Sequence, residues 1–205
     1  MYLKIALSII IGYLFGSLNG SLIIGKVFYK KDIRKHGSGN AGTTNTLRIL
    51  GKNAAIAVIV IDILKGIIAC VIGGLLVGNI ETFGYIGMYF AGLAAVIGHN
   101  WPIFFSFKGG KGVLTTFTVM LYISPIPALI CLGIFIIVVA FTRYVSLGSI
   151  VAAAFWPLIS FIFNLPITLI ILGIFMVALI IVRHKENIVR LINRTEKKLS
   201  FKKTI

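Results

Sequence analysis

Seven apolar segments leave this chain few ways to fold. They run over residues 5–25, 54–78, 83–100, 113–124, 126–142, 149–163 and 166–182. A helix rises ~1.5 Å per residue, so ~20 residues cross a ~30 Å hydrocarbon core. Several of the segments are shorter than that. Residues 113–142 and 149–182 would each read as one long helix if unbroken. Pro125 and Pro127 interrupt the first, and Asn164–Leu165–Pro166 interrupts the second. The chain is 59% hydrophobic and 12% charged, too few charges to cover a soluble domain. The expected fold is therefore an all-α integral membrane protein. It is one transmembrane domain over residues 1–205, a compact bundle of about seven helices, with a basic tail over 183–205. The apolar start has no small-residue cleavage site before the basic loop and reads as a retained span.

Charge sets the expected orientation. Twenty basic residues face five acidic ones, for a formal charge of +15. Residues 26–53 hold Lys26, Lys30, Lys31, Arg34, Lys35, Arg48 and Lys52 against Asp32 alone. Loops rich in Lys and Arg stay in the cytoplasm. That puts the N-terminus outside and, after seven spans, the C-terminus inside. Arg143, "FKGGKG" and the tail then share the cytoplasmic face, and the same charge attracts anionic headgroups or substrates. Too little chain lies outside the bilayer to hold nucleic acid. In the tail, Ile188, Leu191, Ile192 and Leu199 fall on one helical stripe, which predicts a short amphipathic helix at the interface.

Three polar clusters interrupt this pattern. The first, "HGSGNAGTTNTLR", contains G-x-G-x-x-G as Gly37, Gly39 and Gly42. A dinucleotide fingerprint needs a preceding strand and a βαβ unit. Here the motif follows a membrane segment, and Asp62, twenty residues past Gly42, lies inside an apolar run. "GSLIIGK" at Gly20–Lys26 starts like a P-loop, but Val27 stands where the magnesium-binding hydroxyl belongs. Neither nucleotide reading survives. What remains is glycine N–H groups able to approach an anion, with Ser38, Asn40, Thr43, Thr44 and Asn45 as neutral donors and Arg48 as a planar fork. The second cluster, "GHNWPIFFSFKGGKGV", sets Gly109, Gly110 and Gly112 around Lys111, with Lys108 beside them. The third, "RHKENIVR", places His184 and Asn187 three apart on one helix face. Three such clusters on one face predict a shared phosphate site.

In the order and spacing of "GSGNAGTTNTLR", "GHNWPIFFSFKGGKGV" and "RHKENIVRLINRTEKK", the chain resembles the bacterial acyl-phosphate-dependent glycerol-3-phosphate acyltransferases, the PlsY family. The resemblance covers almost the full length. Members more often carry Pro at Ala41, Ala at Thr43, Phe at Trp101, Ala at Leu114 and Gly at Arg194. It implies transfer of an acyl chain from acyl phosphate to the 1-hydroxyl of glycerol 3-phosphate, giving lysophosphatidic acid and phosphate. It implies functional positions at Ser38, Arg48, Lys111, His184 and Asn187. Gly109, Gly110 and Gly112 correspond to a glycerol-phosphate-binding loop, and Glu196 to a structural or binding position. Gly37, Gly39, Asn40, Thr44, Asn45 and Lys108 complete the expected phosphate contacts. The partners so implied are acyl phosphate, glycerol 3-phosphate, membrane lipids and an enzyme that forms acyl phosphate.

The residues also bound the chemistry. His184 is the best protein base, and its alternative is a hydrogen-bonded positioning residue; the substrate's own phosphate is the other proton acceptor. Ser38 reads as a hydrogen-bond donor, since no Ser–His–Asp arrangement is visible. The H-x-x-x-x-D signature of acyl-CoA-type acyltransferases is absent, because Ala41, Phe104 and Val189 follow His36, His99 and His184 by five. His99 reads as structural and His36 as a solvated loop residue. No His, Cys or Asp cluster has metal-ligand spacing, so neither metal nor cofactor is expected. Cys70 and Cys131 read as core thiols. Asp62 and Lys65, three apart in a span, each cost about 2.5–3.5 kcal/mol unpaired near the bilayer centre, which predicts that they pair. Two rival functions are a carrier for a small phosphate compound and a lipid-alcohol phosphotransferase. A carrier needs a site reachable from both sides; the phosphotransferase needs an Asp-rich metal site that five scattered acids do not supply.

Overall fold

A computed structural model describes residues 1–80 and 85–199. The first two residues of the expected 83–100 span and the end of the tail, 200–205, lie outside them. The described chain is helical: α1 (Tyr2–Ser17), α2 (Gly20–Ile23), α3 (Thr43–Leu50), α4 (Lys52–Val77), α5 (Ile86–Asn100), α6 (Val113–Ile123), α7 (Pro125–Thr142), α8 (Val145–Ile162), α9 (Ile167–Arg183) and α10 (Lys185–Ile192). The apolar runs recur as α1–α2, α4, α5, α6, α7, α8 and α9, and the proline-marked breaks hold. By length and composition, four segments suffice to cross a membrane: Tyr2–Phe28, Lys52–Val77, Pro125–Thr142 and Val145–Ile162. Ile167–Arg183 and Lys185–Ile192, bent by 56°, count as a fifth if taken together. Large apolar side chains such as Ile136, Ile137, Phe141 and Phe161 face outward, as lipid contact requires.

Small residues let α1, α4 and α5 pack closely. Gly12 and Gly16 on α1 lie against the backbone of Ala91 and Ala95 on α5, where any Cβ would overlap it. Gly73 of α4 meets Gly87 of α5 in the same way. Cys70 and Cys131 are both buried in the core formed with Val96, Val119 and Trp156.

The first apolar segment is not one helix. It breaks at Leu18–Asn19, because Asn19 caps α2 by accepting from Leu22 N at 3.1 Å. The same amide donates to Ala41 O at 3.2 Å and anchors the following loop. The break frees the Leu18 carbonyl, which accepts from Lys65 Nζ at 3.3 Å. Lys65 pairs with Asp62 at 2.8 Å, as expected, and both are buried. Removing one partner of a buried pair strands the other charge. Lys65→Met is expected to cost about 3–5 kcal/mol, read as a lowered midpoint of thermal unfolding in detergent.

The C-terminal stripe is shorter than its periodicity predicts. α10 ends at Ile192, and Leu199 lies beyond it, outside any helix. Arg194 takes a left-handed φ of 57°, and Thr195 N and Glu196 N turn back to Arg190 O. Glycine is the residue that meets no steric penalty in this conformation. The tail then crosses the α7–α8 turn, with Leu199 N donating to Arg143 O at 2.7 Å.

Candidate active site

The three polar clusters meet at one end of the bundle, around a cavity of about 580 Å³. Its lining includes Ser38, Asn40, Thr44, Arg48, Lys111, His184, Asn187 and Glu196 from the three clusters, the buried polar residues Asp62 and His99, and the apolar Leu114, Phe117, Met120, Leu132, Phe135 and Trp156 from α6, α7 and α8.

The first loop is ordered from within. Asn45, 1% exposed, accepts from Ser38 N at 2.9 Å and donates to Ile33 O and His36 O at 3.1 and 3.0 Å. Gly37, at φ 65°, lies so close to Asn45 Oδ1 that a Cβ would overlap it. Arg34 ties this loop to the next. Its guanidinium donates to Phe105 O at 2.9 Å and Lys108 O at 3.1 Å while gripping Asp32. That grip holds the Asp32 carboxyl well below the usual carboxylate range. Thr43 and Thr44 open α3, which carries Arg48 to the cavity.

Part of the glycine backbone is engaged within the protein. Gly39 N donates to His36 O and Gly42 N to Asn40 O. Gly109 N and Gly110 N donate to Asn100 O and His99 O at 3.2 and 3.1 Å. These N–H groups close the loops on themselves. Gly39, Lys108, Gly109 and Gly110 do not line the cavity, and Lys108 is exposed. Glycine is needed at 109 and 110 for close packing, since a Cβ at either would run into backbone oxygens. Gly112 does reach the wall and starts α6 from a left-handed φ of 73°.

Charged and amide side chains of the second and third clusters meet at the cavity wall. Lys111 Nζ donates to Asn187 Oδ1. Asn187 Nδ2 donates to Glu196 Oε1 at 2.6 Å. Glu196 also accepts from Ser146 Oγ at 2.8 Å and from Arg190 Nε at 2.7 Å. Burial pushes the Glu196 carboxyl up, but these bonds outweigh it and hold the group below its ordinary value. Burial pushes the Lys111 amine down, to about 8, with the nearby Glu196 opposing the shift. His184, 2% exposed, donates from Nδ1 to Ile180 O at 2.8 Å, since a carbonyl can only accept. Its Nε2 is left as an acceptor. Burial, then the neighbouring Lys111, pushes the imidazole down to about 4, so it is neutral at pH 7.

Several residues escaped the sequence reading. Arg183 donates to Gly110 O at 2.8 and 3.1 Å and lies over the Trp101 ring at 5.3 Å, clasping the second loop. Ser146, Arg190 and Lys197 join the cavity wall. Arg183 and Arg190 flank the quoted histidine–asparagine pair, and their charge was the available signal. Ser146 carries none, since a serine in an apolar helix is unremarkable.

A family profile described as "Glycerol-3-phosphate acyltransferase" matches residues 6–194. The chain belongs to the glycerol-3-phosphate acyltransferase family. It is similar to the glycerol-3-phosphate acyltransferase of Thermoanaerobacter pseudethanolicus, 45% identical over 97% of this chain and 98% of that one. It is similar also to glycerol-3-phosphate acyltransferase 2 of Bacillus anthracis, 42% identical over 94% and 98%. Crystal structures of PlsY, an integral membrane glycerol 3-phosphate acyltransferase, superpose on it in the glycerol 3-phosphate form (TM-score 0.88) and the lysophosphatidic acid form (0.84). Each is 38% identical and covers 96% of both chains. Helices too apolar for water and membership of this acyltransferase family make the chain a multi-pass membrane protein of phospholipid biosynthesis.

Proposed function

We propose that the chain transfers an acyl group from acyl phosphate to the 1-hydroxyl of sn-glycerol 3-phosphate, giving lysophosphatidic acid and phosphate. The observation that carries this reading is one cavity lined both by the cations Arg48, Lys111 and Arg190 and by apolar side chains of α6, α7 and α8. An acyl phosphate has the matching halves, a dianionic head and a hydrocarbon tail. A carrier for a small phosphate would have no use for the apolar part.

In this reading the seven apolar helical segments each cross the bilayer, the N-terminus is outside, and the site lies at the cytoplasmic face of a bacterial membrane. Arg48 and Lys111 hold the two phosphate groups against their mutual repulsion, at a boundary where low polarity strengthens each contact. Ser38, Asn40 and Thr44 add neutral donors, and Asn187 fixes Lys111. His184 Nε2 accepts from the 1-hydroxyl and aims its oxygen at the acyl carbon. The new C–O bond forms as the bond from carbon to the phosphate oxygen breaks. The hydroxyl proton leaves with the departing phosphate, because an imidazole at about 4 is a weak base at pH 7. The mixed-anhydride donor is itself reactive toward water, so an enzyme forming it is the expected functional partner.

The deciding experiment uses pure protein, acyl phosphate and glycerol 3-phosphate with no added metal. Lysophosphatidic acid formation is expected. Uptake of glycerol 3-phosphate into liposomes without acylation would replace this reading with the carrier.

A further inference from the structure

Asp62, Lys65 and His99 meet inside the bundle, and the reaction above uses none of them. Lys65 Nζ lies 2.8 Å from Asp62 Oδ1, 2.8 Å from His99 Nδ1 and 3.3 Å from Leu18 O. All three residues are under 5% exposed. An ammonium has three N–H donors and no acceptor, and here it meets three acceptors. The alternative, a neutral amine beside an imidazolium, puts the proton on the weaker base by about four pH units of ordinary basicity. The proton therefore stays on Lys65, and Asp62 neutralises it.

This accounting fixes the histidine. If Lys65 donates to Nδ1, the neutral ring carries its one proton on Nε2. Nε2 forms no hydrogen bond with a described residue. It packs against Gly110, where a Cβ would overlap it, so only glycine leaves room for the ring here. His99 lines the same cavity as Lys111 and Gly112. A buried histidine, held in one tautomer, thus shares a cavity lining with the cations Arg48, Lys111 and Arg190.

We propose that His99 donates its Nε2–H to a phosphate oxygen of a bound substrate, with Lys65 and Asp62 as positioning residues that set the tautomer. The identity of the oxyanion rests on the acyl-transfer reading; the donor does not. Glycerol 3-phosphate and the acyl phosphate both present this oxygen.

The chain has three histidines, so nitrogen-15 imidazole spectra of the full-length protein are resolvable, and the signals lost in His99→Asn assign His99. The expected result is a neutral ring protonated at Nε2 from pH 6 to 8. Its Nε2–H signal moves on adding glycerol 3-phosphate or, separately, a non-hydrolysable acyl phosphonate; whichever moves it identifies the ligand. A ring protonated at Nδ1, or a signal that neither ligand moves, overturns the proposal. In His99→Asn the side-chain oxygen replaces Nδ1 as acceptor for Lys65 while the far donor is lost. The unfolding midpoint is expected to hold, and the KM for the identified substrate to rise about tenfold or more. Unchanged KM for both substrates also overturns it. Should the variant unfold, the wild-type spectra still decide. Wild-type protein that makes lysophosphatidic acid with a silent His99 refutes this inference alone. A responsive His99 in protein that makes none refutes the acyl-transfer reading alone.

Discussion

Lys111→Ala is expected to lower kcat/KM about a thousandfold with little change in the thermal midpoint. Removing one preorganised donor to developing negative charge costs about a hundred- to a thousandfold in related chemistry. Lys111 is at the upper end because it also offsets repulsion between two phosphate groups. Stability is spared because burial already disfavours the charged amine, which lies at about 8. The same shift gives a pH signature. Lys111 is charged below about pH 8 and neutral above, so wild-type kcat/KM falls about tenfold per pH unit on the alkaline side. Lys111→Arg keeps the charge throughout, so its alkaline limb should vanish even if its plateau is lower. An alkaline limb that survives in Lys111→Arg belongs to another group and would sink the assignment.

Glu196→Ala should lower turnover about a hundredfold, although the carboxylate repels both substrates. Its value lies in what it holds. Ser146, Asn187 and Arg190, from α8 and α10, all donate to it. Without it Asn187 loses the bond that aims its oxygen at Lys111, and a misplacement of about 1 Å can cost about a hundredfold. Glu196→Gln keeps one acceptor oxygen, so it should retain more activity than the alanine variant. Steady-state rates for the two variants, with ligand-free unfolding midpoints as control, test this. Alanine within threefold of wild type would reduce Glu196 to a surface acid.

The helices were legible because lipid imposes one strong rule, that apolar stretches carry no bare charge. Residues 126–142 and 166–182 were placed within a residue of α7 and α9 for that reason. The break at Asn19 was not, since hydropathy is blind to a single capping amide. α3 was hidden inside a polar loop for a related reason: its eight residues include three threonines and an asparagine, which read equally well as turn. The clustering of Ser38, Arg48, Lys111, His184 and Asn187 was legible from residue type. Where the glycine N–H groups go was not. Glycine spacing says that backbone can approach something closely, and at Gly109 and Gly110 that partner is the end of α5. The Lys65–His99 contact joins residues 34 apart, beyond any local pattern.

Asp62 and Lys65 sit on the same helix, three residues apart, and that arrangement bears on how the protein is made. A newly synthesised α4 brings its own counter-ion into the bilayer and partitions as a net-neutral segment. Had the two charges been placed on separate helices, each would have faced lipid bare until its mate was inserted. The last ammonium hydrogens find the Leu18 carbonyl on one side and His99 on the other only as the neighbouring helices assemble. An insertion path that begins from this helix has its ion pair already made, and the neighbouring helices complete its hydrogen bonds.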